Sequence, residues 1–84
     1  MIEIFKYSKF ADIFIYLLSN KVTYINKISR ELDITFSYTS ICIKKMIKQG
    51  LAEENLKGRN KYIKLTKKGK TVAKKIFELK ELMR

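Results

Sequence analysis

The chain has 84 residues, of which 19 are Lys or Arg and eight are Asp or Glu, for a formal charge of +11. That length allows one domain with one modest core, and that charge favours polyanionic partners. With no histidine and a single cysteine, Cys42, the composition excludes an intramolecular disulfide, a histidine-dependent nucleophile and an imidazole metal site.

No enzyme activity, cofactor or metal is therefore expected. The longest apolar run, residues 13–18, is far short of the roughly 20 residues that a membrane span needs. The N-terminus lacks the basic and long apolar regions of a secretory signal. A cytoplasmic protein with no membrane partner is the expectation.

In chain order, residues 8–19 carry apolar side chains at Phe10, Ile13, Phe14, Leu17 and Leu18, the spacing of one face of an amphipathic helix. Ser8 is placed to cap it. Ile15 and Tyr16 widen the apolar surface beyond one face, which calls for a second buried side. Among the N-terminal aromatics Phe5, Tyr7, Phe10, Phe14 and Tyr16, packing in the core or an interface is favoured over base stacking.

Residues 22–24 favour a short strand, and residues 25–32 form a second helix with Ile25, Ile28 and Leu32 on one face. Residues 33–35 make a polar turn plugged by Ile34. Thr35 then caps a third helix over residues 36–49, stopped by Gly50 in the left-handed conformation. With Thr39, Cys42, Ile43 and Met46 facing inward, that helix presents Ser37, Tyr38, Ser40, Ile41, Lys44, Lys45 and Lys48 to solvent. On the inward side, Cys42 reads as a small buried hydrophobe rather than a redox sensor.

Residues 51–56 and 61–65 are strand-like and flank a polar connection, Lys57-Gly58-Arg59-Asn60, which predicts a β-hairpin. Thr66 is placed to cap a last helix in which Val72, Ile76, Leu79 and Met83 follow the 4, 3, 4 spacing of a coiled-coil seam. From residue 55 to residue 75 there are nine basic residues and no acidic one. Glu53 and Glu54 interrupt the basic character of the first hairpin strand, so at least one is expected to point away from a nucleic acid.

Two short helices joined by a tight turn and followed by a basic hairpin make a winged helix-turn-helix pattern. The segment from Tyr24 to Lys70 resembles MarR-like transcriptional regulators. Ile28-Ser29 and Leu32 fall where the second helix packs, Lys48-Gln49-Gly50-Leu51 closes the recognition helix, and Leu65-Thr66-Lys67-Lys68-Gly69 is similar to the family's entry into the last helix. The wing, Gly58-Arg59-Asn60, departs from the acidic residue and arginine often found there.

The resemblance implies an α+β, mainly α fold: a three-helix core, a β-hairpin wing and a C-terminal helix in one domain spanning residues 1–84. Within it, residues 1–19 are the N-terminal helix region, 24–49 the helix-turn-helix, 51–65 the wing, and 66–84 the C-terminal helix. It also implies binding to double-stranded DNA by a homodimeric regulator, in the simplest case a repressor.

On this reading Ser37, Tyr38, Ser40 and Ile41 meet bases, and Lys44, Lys45 and Lys48 reach phosphates. Ile41 suits a thymine methyl, or else belongs to the core of a slightly rotated helix. Lys57, Arg59, Asn60 and Lys61 form the wing contacts, with Arg59 suited to a narrow minor groove. Phe10, Phe14, Val72, Ile76, Leu79 and Met83 form the dimer contacts.

Three competing readings make different demands. A protein-interaction module needs no basic wing and helix together. An RNA-binding module calls for exposed aromatics on a sheet or hairpin, where only Tyr62 is available. A peripheral membrane protein needs lysines opposite an exposed apolar stripe on one helix, which residues 67–84 partly offer.

Overall fold

In the computed structural model, which describes residues 8–20 and 22–82, the elements run α1 (Ser8–Ser19), α2 (Ile25–Leu32), α3 (Phe36–Lys48), β1 (Ala52–Lys57), β2 (Asn60–Leu65) and α4 (Lys67–Leu82). The core is built from Ile13, Phe14 and Leu17 of α1, Ile28 of α2, Cys42, Ile43 and Met46 of α3, and Ile63 and Leu65 of β2. Leu51, Ala52 and Ala73 close it. Phe10 lies half-buried and stacks on Phe14 with ring centroids 5.5 Å apart. The start of α1 coincides with the edge of the described residues, so the expected cap at Ser8 lies at that boundary, and Phe5 and Tyr7 lie outside it.

Both helices of the helix-turn-helix end in the same way. After α2, Asp33 adopts the left-handed conformation (φ 54°), its N–H donates to the carbonyl of Arg30, and the Ile34 N–H donates to that of Ser29. After α3, Gly50 takes φ 75°, its N–H donates to the carbonyl of Ile47, and the Leu51 N–H donates to that of Met46. Each is a Schellman closure, which pairs carbonyls that would otherwise be left open at a helix end. In each case the next residue, Ile34 or Leu51, turns into the core. Asp tolerates the left-handed region better than most side chains, which allows a three-residue turn without glycine.

Thr35 caps α3 as expected, its hydroxyl accepting from the Tyr38 N–H at 3.1 Å. The hairpin ladder runs from Ala52 opposite Leu65 to Lys57 opposite Asn60. The turn is therefore the two residues Gly58 and Arg59, not the four-residue connection that the sequence suggests. Gly58 has φ 63° whereas Arg59 does not share the positive φ, the arrangement of a two-residue turn with glycine first. That turn twists with the strands, so pairing continues to Lys57 and Asn60.

The strand expected over residues 22–24 shrinks to a single antiparallel bridge between Thr23 and Ile63. The Thr23 N–H donates to the Ile63 carbonyl at 3.3 Å, and the Ile63 N–H donates to the Thr23 carbonyl at 2.6 Å. Two residues later, at Ile25, the chain enters α2, so there is no length for a ladder on that side.

The two glycine-bearing motifs lock onto each other. The Thr66 hydroxyl donates to the Gly50 carbonyl at 2.6 Å and accepts from the Gly69 N–H at 3.0 Å, which caps α4 as expected. The Thr66 N–H donates to the Leu51 carbonyl at 3.0 Å. Gly69, in the first turn of α4, lies so close that a Cβ there would fall 1.7 Å from the Leu51 carbonyl oxygen. The close of α3 and the start of α4 are thus one packed junction, which explains why both motifs occur at this spacing.

Candidate nucleic-acid interface

The inner side of α3 is as the periodicity requires: Thr39, Cys42, Ile43 and Met46 are buried. The opposite side exposes Ser37, Tyr38, Ile41, Lys44, Lys45 and Lys48, while Ser40 is only half-buried. Ile41 is 55% exposed, so it does not belong to the core. Phe36, the first residue of the helix and not among the expected contacts, is 53% exposed and adds to this surface. Its signal was available, since it lies one helical turn before Ser40 on the same side.

No acidic residue occurs between Asp33 and Glu53, so α3 carries three exposed ammonium groups with no counter-charge of its own. The apex of the wing is similarly one-signed. Lys57, Arg59, Asn60 and Lys61 are all exposed at its apex.

Lys64 and Glu53 are cross-strand partners and form an ion pair at 3.3 Å, with both side chains about half exposed. Glu53 is neutralised locally, although an exposed pair of this kind adds little stability. Side chains alternate across a strand, so Glu54, opposite Ile63, lies on the other face of the hairpin from Glu53.

The thiol of Cys42 is buried, and burial pushes its pKa up. The neighbouring Tyr38 hydroxyl and the Lys45 charge pull it down by less. The Tyr38 hydroxyl is itself raised, by desolvation first and then by Cys42.

A thiol whose folded pKa is raised reacts slowly, because the thiolate is the nucleophile. A chromogenic disulfide reagent at neutral pH should label Cys42 slowly in the folded protein and rapidly in denaturant. The sign of linkage is that of a raised group: no effect on stability below the ordinary thiol value, and a loss as pH rises through it. Rapid labelling of the native protein would refute this.

The dimer contacts expected from the sequence divide differently. Phe14 is 4% exposed inside the chain's own core and has no surface to offer a partner, which corrects its assignment. Phe10, Val72 and Ile76 are partly buried against the same core. The seam spacing of α4 serves mainly to cover α1, with Ala73 buried between them and Lys80 paired to Asp12 across the contact.

Leu79 remains 57% exposed, and Met83 lies outside the described residues. Phe77 and Leu82, which the seam pattern omitted, are also exposed. Among the described residues no helix is long and apolar enough to cross a membrane, and no three carboxylate or thiol groups gather to hold a metal ion.

Comparison with solved structures finds the same architecture repeatedly. AF1382 from Archaeoglobus fulgidus superposes with a TM-score of 0.82 at 30% identity, over 92% of this chain and 89% of that one. ZitR of Lactococcus lactis gives a TM-score of 0.81 at 24% identity, over 90% of this chain and 59% of its own. The MarR family transcriptional regulator SPO1453 from Silicibacter pomeroyi gives 0.76 at 16% identity, over 88% and 54%. The chain thus spans nearly all of the first and somewhat more than half of the other two. No protein-family model matches the sequence, and a search of curated proteins returns no match.

Proposed function

From the MarR-like winged helix-turn-helix fold of this chain, we propose that it is a transcriptional regulator that binds double-stranded DNA, with α3 in the major groove and the wing at the minor groove or backbone. The observation that carries this reading is the acid-free exposed face of α3, with Lys44, Lys45 and Lys48 along its second half, followed in the chain by a wing with Arg59 at its basic tip. A helix of 13 residues is about 20 Å long, and the major groove, about 12 Å wide, admits it. Ser37, Tyr38, Ser40 and Ile41 approach base edges, and Lys44, Lys45 and Lys48 neutralise phosphates. Lys57, Arg59, Asn60 and Lys61 engage the neighbouring groove or backbone.

The regulator acts as a homodimer, with two copies of α3 about 34 Å apart on an approximate palindrome. Exposed Leu79 and Leu82 of α4 support pairing, with Val72 and Ile76 on the same side of that helix and Phe10 partly buried against the same core. Repression by occupying a promoter is the simplest output.

The test is a salt titration of the chain against random duplex DNA and matched RNA, with sedimentation to give the mass of the bound species. A duplex preference, a steep salt slope and a two-copy complex are expected. Equal affinity for RNA, or none for duplex, would defeat the reading.

A further inference from the structure

The first two turns of α3 display Phe36, Ser37, Tyr38, Ser40 and Ile41, and contain no Arg, Lys, Asn, Gln, Asp or Glu. This composition narrows what the helix can recognise. Guanine is read in the major groove by bidentate Arg or Lys, adenine by Asn or Gln, and cytosine by a carboxylate. None of these is present where a recognition helix meets bases, and its charged groups begin only at Lys44.

The three hydroxyls of Ser37, Tyr38 and Ser40 bond to donors and acceptors alike and discriminate weakly. The remaining base-specific feature of the groove is the thymine C5-methyl, which an apolar side chain contacts. Ile41 lies at the centre of the exposed face, four residues after Ser37 and three before Lys44, and Phe36, one turn before Ser40, lies at the edge of that face. Both are more than half exposed in the chain. The lysines of the same face supply the charge complementarity that makes DNA, rather than an apolar partner, their occupant.

We infer that this chain selects its DNA sites by thymine methyl groups, with Ile41 as the principal specificity-determining residue and Phe36 as the second, so that its half-sites are A·T-rich with thymines under the start of α3. The inference rests on the proposed duplex binding. Arg59 at the wing tip acts in the same direction, because A·T tracts narrow the minor groove and deepen its negative potential.

The experiment is selection of bound sites from a random duplex pool with the full chain, followed by replacement of the selected thymines with deoxyuridine, which removes only the methyl. Each buried methyl lost should weaken binding about fourfold. In an Ile41→Ala variant, which should fold normally because the side chain is exposed, deoxyuridine should cost nothing further at the position Ile41 covers.

Tight selection of sites with conserved G·C pairs under α3 would overturn the inference while leaving duplex binding intact. So would indifference to deoxyuridine, or an undiminished penalty in Ile41→Ala. A change of oligomeric mass in Ile41→Ala with DNA selectivity unaltered would assign the residue to a protein contact instead. Failure to bind any duplex would defeat the underlying DNA reading as well.

Discussion

Replacing Gly69 with alanine should destabilise the domain by about 3 kcal/mol, the upper end of what overpacking costs, and lower its melting temperature by roughly 12–24 °C. The reason is steric. The added Cβ would sit 1.7 Å from the Leu51 carbonyl oxygen, 2.8 Å from its carbon and 3.1 Å from a Leu65 methyl. A flexible side chain can move aside, but here the obstacle is backbone, and that carbonyl also accepts the Thr66 N–H.

Relief would require α4 to lift from the close of α3, which would break the bonds that the Thr66 hydroxyl and N–H donate to the Gly50 and Leu51 carbonyls. Gly50→Ala is the informative comparison. Nothing lies within 4 Å of a Cβ there, but φ is +75°, so the cost is the left-handed penalty of about 1–2 kcal/mol. Thermal unfolding followed by circular dichroism should rank wild type, Gly50→Ala and Gly69→Ala in that order. A Gly69→Ala protein that melts like wild type would show that the junction yields far more easily than its packing implies.

Neutralising Lys44, Lys45 and Lys48 together should weaken duplex binding on the order of 100-fold near physiological salt. The slope of log affinity against log salt should flatten by about 2.7 if all three meet phosphates. All three side chains are exposed, so the melting temperature should stay close to that of wild type. Binding isotherms over a series of salt concentrations measure both quantities. An unchanged slope would remove α3 from the phosphate backbone.

The interior of the helix-turn-helix was legible because a 3.6-residue period leaves little freedom. Once Ile43 and Met46 face inward, so do Thr39 and Cys42, and Lys44 and Lys48 must face out. The caps at Thr35 and Thr66 were equally local, each a hydroxyl three residues ahead of the N–H it accepts from. The last helix was harder to read. Periodicity at Val72, Ile76 and Leu79 tells which residues share a stripe, but not whether that stripe covers α1 of the same chain or a second copy.

Phe14 failed for the same reason: an apolar residue on a busy helix gives no sign of how much of it the chain itself covers. The fate of residues 22–24 was illegible in another sense. β-propensity describes residues one at a time, whereas a strand needs several paired in succession, and Thr23 alone finds a partner. The role of Gly69 lay open as a motif but closed as a mechanism, since the atom it must avoid belongs to Leu51, far back along the chain.

The bridge between Thr23 and Ile63 has a mechanical meaning. Its two hydrogen bonds fasten the entry of α2 to the middle of β2, while β2 carries the hairpin apex at its other end. An isolated two-stranded hairpin would swing about its base. Here β2 is also bonded on the side opposite β1, so that strand is held from both of its flanks at Ile63. The tie joins the hairpin to the helix pair at a place separate from the junction of α3 with α4.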